Sequence, residues 1–121
     1  MQFFAYDPHY NPDSPEAAVP PSPELIAEMG KFIGEAMQAG VLVTTGTLPR
    51  KGTRLRLADG KFTVTDGPFI ELKELMGGFA VLNVKSLDEA IEWSKRFLKI
   101  IGSGETEIVQ LLGSADDPGP A

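Results

Sequence analysis

The chain has 121 residues, with eleven Lys and Arg against seventeen Asp and Glu, a net charge of −6, and no cysteine. That balance argues against a nucleic-acid partner, since phosphate-backbone binding is driven by clustered cations. The missing cysteines exclude disulfides, thiolate nucleophiles and Cys-rich zinc sites, and a single histidine, His9, excludes multi-histidine metal sites.

The length fits one domain. No apolar run approaches the ~18 residues of a spanning helix, and the start Met1-Gln2-Phe3-Phe4 carries no basic segment of the kind that opens a signal peptide. The expectation is a cytoplasmic protein with no membrane partner.

In chain order, Met1 to Tyr6 reads as a short strand through Phe3, Phe4 and Tyr6. Six prolines between Asp7 and Pro23 then break any periodicity, so 7–22 reads as a Pro-rich loop. Ser22 is a suitable N-cap with Pro23 in the first helical position. Leu25, Met29, Phe32, Ile33, Ala36 and Met37 recur at helical spacing, and Gly40 ends the pattern. Gly30 and Gly34 fit either close approach of another backbone or simple tolerance.

Val41 to Thr47 is rich in β-branched residues and reads as the second strand. Asp59-Gly60 is a strong two-residue hairpin turn. It places Ala58 opposite Lys61, Leu57 opposite Phe62 and Leu55 opposite Val64, with Arg56 facing Thr63 and Arg54 facing Thr65. One face of this hairpin is apolar and the other carries two arginines.

Gly78 to Val84 reads as a strand with apolar residues on both faces, so both faces should be covered. Ser86-Leu87-Asp88-Glu89 forms a capping box opening a second helix, whose inward stripe runs from Leu87 through Ala90, Ile91, Ser94, Phe97 and Leu98 to Ile101. Thr106 to Leu112 reads as the last strand, and 115–121 as a flexible tail. Strand, helix, strand, inserted hairpin, strand, helix, strand is the order of an α+β, ferredoxin-like split βαβ fold. Two helices cover only one sheet face, and a second copy is the simplest cover for the other.

The stretch Thr65 to Phe79 concentrates three glycines, a proline and four charged residues between two strand-like runs. Its string Asp66-Gly67-Pro68-Phe69, followed by Glu71, Lys73-Glu74 and Gly77-Gly78-Phe79, resembles the signature of the DGPF group of YCII-related proteins. The resemblance implies a dimeric α+β barrel, hence a homodimer. In the related YCII branch an acid and a histidine form the site, the histidine standing at the start of the first helix. Here Pro20-Pro21-Ser22-Pro23-Glu24 contains no histidine. Asp66 therefore carries over and the dyad does not.

Asp66 is the first candidate acid or base, or else it caps the turn that follows it. His9 is a candidate proton shuttle if its loop folds back over the sheet; otherwise it is solvated. Glu71 and Lys73 either bind a polar substrate or form ion pairs that fix their segment. Arg54 and Arg56 form a cationic face for an anionic ligand or for acids of a second subunit. A metal at Asp7, His9 and Asp13 lacks a recognisable ligand pattern. Trp93 is expected at the sheet edge or an interface. No phosphate loop, Ser-His-Asp order or G-x-S-x-G string is present, so no cofactor is expected.

Two functions remain open. One is a dimer that binds a small polar molecule, with its pocket between sheet and helices, bounded by Asp66 and the 7–22 loop, and cofactor-free acid–base chemistry at Asp66. The other is a non-enzymatic sensing or interaction module, which suits a family often encoded beside extracytoplasmic-function sigma factors.

Overall fold

The computed structural model of the chain describes residues 1–9, 20–48, 51–69, 78–113 and 117–120. Among them the elements run β1 (Gln2–Tyr6), α1 (Pro23–Gln38), β2 (Leu42–Thr47), β3 (Lys51–Ala58), β4 (Lys61–Phe69), β5 (Gly78–Asn83), α2 (Leu87–Ile101) and β6 (Glu107–Leu111). Four strands form a sheet in the order β2-β5-β1-β6, every neighbouring pair antiparallel. β1 and β2 are therefore parallel with β5 between them, and β5 and β6 are parallel with β1 between them. Parallel strands need a crossover, and α1 and α2 supply one each. This α+β architecture is compatible with the ferredoxin-like arrangement expected from the element order.

Both helices pack on one face of the sheet. Strand alternation turns Phe3 and Ala5 toward them and Phe4 and Tyr6 away. Phe3, opposite Leu82 in the β1–β5 register, is only 1% exposed and joins Leu42, Ala36 and Ala90 in the core. Burying one such ring contributes about 1.5–3 kcal/mol. On the opposite face Phe4 stacks on Phe79 with ring centroids 5.6 Å apart. That ring lies over β2 at Gly46, where an added Cβ would come within 3.3 Å of Phe79.

The helix ends follow their capping residues. The Ser22 hydroxyl accepts from the Leu25 N–H at 3.1 Å, and the Ser86 hydroxyl accepts from the Glu89 N–H at 3.1 Å. The Glu89 carboxylate reaches back one residue further than in a standard capping box, to the Lys85 N–H. Gly102 closes α2 in the left-handed conformation, φ 96°, its N–H donating to the Leu98 carbonyl. The expected apolar stripes hold in the middle of each helix. Met37, Leu87 and Ile101, at the helix ends, are over 40% exposed. Gly30 and Gly34 meet no close backbone approach among the described residues.

Between the helices, Arg96 donates to Glu35 at 2.6 Å and its guanidinium lies over the rings of Phe32 and Trp93, 5.2 and 4.8 Å from their centroids. Trp93 thus sits between the helices and against the core, not at a sheet edge. At the far end of the chain, Asp117 accepts from the Gly113 and Gly119 N–H groups, and Gln110 donates to the Gly119 carbonyl.

β3 and β4 form their own two-stranded sheet in the register expected from the Asp59-Gly60 turn, whose residues have φ of 52° and 75°. The strand β4 does not stop at Thr65. It continues through Asp66 to Phe69, with a register shift between the Thr53–Asp66 and Lys51–Phe69 pairs. Gly-Pro reads as a strand breaker, but each strand of a two-stranded ribbon has a free edge where the missing proline N–H is tolerated.

Candidate functional site

A cavity of about 440 Å³ lies between the two helices and the sheet. Its deep end is apolar: Ala36 of α1, Leu42 of β2, Leu82 of β5 and Trp93 of α2 all contribute. The Ser94 and Thr45 hydroxyls have each donated their proton and keep only acceptor lone pairs. Ser94 donates to the Ala90 carbonyl at 2.8 Å, a bond back along its own helix, and Thr45 donates to the Phe79 carbonyl at 2.8 Å. Specific polar recognition therefore belongs to the rim.

The rim is at one end of the sheet, where β1 and β2 finish, β5 and β6 begin, and α2 ends. Asp7 extends β1 onto it, its N–H donating to the Gly78 carbonyl at 3.1 Å. Its carboxylate accepts from the His9 N–H at 2.9 Å, an Asx-type turn around Pro8 that fixes where His9 emerges. The His9 imidazole Nε2 then lies 3.1 Å from Glu105 Oε2, on the loop between α2 and β6. Both side chains are exposed. Asp7 and Glu105 contribute to the cavity wall, together with Thr47, Ser103 and Thr106.

The candidates from sequence separate in space. His9 lies beside the rim with its side chain exposed. Asp66 is on β4, exposed, and accepts from the Thr53 hydroxyl across the ladder at 3.3 Å. It is not among the described residues of the cavity wall. The backbone there is extended. Arg54 and Arg56 are exposed on the hairpin. Glu71 and Lys73 lie outside the described residues, as does Asp13 of the considered metal set. No group of three metal-ligating side chains occurs among the described residues, and no helix is long and apolar enough to cross a membrane.

Glu105 was missed by sequence reasoning. It follows Gly102-Ser103-Gly104, and a glutamate after such a turn carries no local mark of a site. Only the meeting of the β1 end with the α2–β6 loop reveals it.

No curated protein matches the chain. The model of the YCII-related domain matches residues 4–111, from the first strand to the end of the last. The chain therefore belongs to the YCII-related domain family.

Proposed function

We propose that this protein is a homodimer of the DGPF branch that binds a small molecule in the cavity between its helices and sheet. The observation that carries the reading is the cavity itself: its volume lies in the usual range of small-molecule sites, and its apolar depth opens onto a polar rim. The wall makes the ligand's body more apolar than the sequence alone indicates. Any proton transfer falls to His9, the titratable base beside the rim. Asp66, distant in role from the cavity wall, keeps the hairpin register through Thr53.

Dimerisation rests on a separate observation. Leu55, Leu57, Phe62 and Val64 form one apolar face of the hairpin, each more than 60% exposed. Segment 51–66 carries four cations against two carboxylates, a net +2 that leaves −8 on the rest of the chain. A basic, apolar-faced arm on an acidic body complements a second copy of that body. The same arm supports the interaction-module reading, in which a different acidic protein takes the copy's place.

The test is a thermal-shift screen of small aromatic and aliphatic compounds on the native chain and on Ala80→Phe, which puts a ring into the cavity. Compounds that stabilise the native protein and not the well-folded variant support the reading. Equal stabilisation of both, or none of either, defeats it.

A further inference from the structure

The chemistry of the rim narrows the ligand class, on the premise that the cavity is the binding site. The charged residues among the described wall residues are Asp7 and Glu105; no lysine or arginine contributes. α2 runs toward the rim and ends there at Ile101, followed by Gly102 to Thr106. The carbonyl end of a helix carries partial negative charge, which adds to the two carboxylates. The whole chain, at −6, draws cations and repels anions at longer range.

Inside, by contrast, little solvates a charge. Ser94 and Thr45 have given their hydroxyl protons to backbone carbonyls, and the remaining wall is aromatic or aliphatic. An ionised group carried to that depth would lose its hydration without compensation. A bound molecule must keep its polar end at the rim and bury an apolar body.

We propose that the cavity takes an amphiphilic cation: a small aromatic or aliphatic amine whose apolar body lies against Trp93 and whose ammonium group lies between Asp7 and Glu105. The ammonium replaces the His9 imidazole as the partner of Glu105, so amine binding releases the bridge from the β1 end to the α2–β6 loop. A carboxylate ligand of the same shape would meet two like charges and a helix C-terminus.

Trp93 is the single tryptophan of the chain and contributes to the cavity wall, so its emission reports entry directly. The experiment titrates 2-phenylethylamine, 2-phenylethanol and 3-phenylpropanoate, similar in body and different in head group, into the native protein and into Asp7→Asn/Glu105→Gln. Each carboxamide keeps an oxygen that can accept the existing bonds. The amine should bind a few-fold more tightly than the alcohol, the order expected of a charged contact at an exposed carboxylate, and the propanoate most weakly. The preference should shrink with added salt and vanish in the double variant. Equal affinities for amine and alcohol, or tightest binding of the propanoate, overturn the cationic class while leaving the cavity as a site. If none of the three changes Trp93 emission or the melting temperature, the cavity reading fails and the amine proposal with it.

Discussion

His9 Nε2 and Glu105 Oε2 stand 3.1 Å apart, joining the segment after β1 to the loop before β6 at the cavity rim. Because both side chains are exposed, the pair itself should add no more than about 1 kcal/mol to stability. His9→Ala is therefore expected to melt within about five degrees of the native chain, while it raises the affinity of an amine by freeing Glu105. Melting curves and Trp93 titrations on the same preparation check both halves.

Arg96 binds the helices to each other in two ways, by its bond to Glu35 and by covering Phe32 and Trp93. Each ring contact contributes on the order of 0.5–1 kcal/mol at a partly exposed site, and the side-chain stem packs as well. Arg96→Ala should lower the melting temperature clearly. Arg96→Lys should recover only a small part, because an ammonium does not stack flat on two rings. Full recovery by lysine would show that charge alone matters there.

Acid sensitivity follows from two carboxylates. Glu35 is held below its ordinary value of 4.5, chiefly by the hydrogen bond from Arg96, and Asp117 below 3.8 by the Gly113 and Gly119 N–H groups. For a carboxyl with a lowered folded-state pKa, the added stability is present above the unfolded value and is lost as pH falls through the folded one. Denaturant midpoints should therefore fall once pH drops below about 4.5 and fall again below about 3.8. Replacing Glu35 by Gln and Asp117 by Asn should flatten that decline.

The apolar hairpin face gives the dimer its test. Leu57 and Phe62 are paired across the ladder and exposed in the single chain. Leu57→Lys and Phe62→Lys should shift the protein from dimer to monomer in light scattering while leaving the far-ultraviolet circular dichroism unchanged. A native chain that is already monomeric at micromolar concentration contradicts the homodimer.

Much of the architecture was legible in the sequence because its signals are local. Ser22-Pro23 and Ser86 to Glu89 mark helix starts within four residues, and Asp59-Gly60 fixes every pair of the hairpin by counting outward. The course of β4 through Asp66 to Phe69 was not legible, since Gly-Pro suppresses a strand except at an edge, and edges depend on topology. The site was legible only in outline. A pocket between sheet and helices follows from the element order, but its wall joins residues from the sheet, both helices and the loop at 103–106. The motif drew attention to Asp66, whereas the cavity rim carries Asp7, His9 and Glu105, whose proximity depends on where two chain segments end.

Trp93 emission during titration of the neutral 2-phenylethanol into the native chain and into Ala80→Phe decides whether the cavity is a ligand site. Such a site gives a saturable change in the native protein, and none in a variant that retains cooperative melting. A change of the same midpoint in both proteins, or a linear response without saturation in the native chain, would contradict a ligand site between the helices and the sheet.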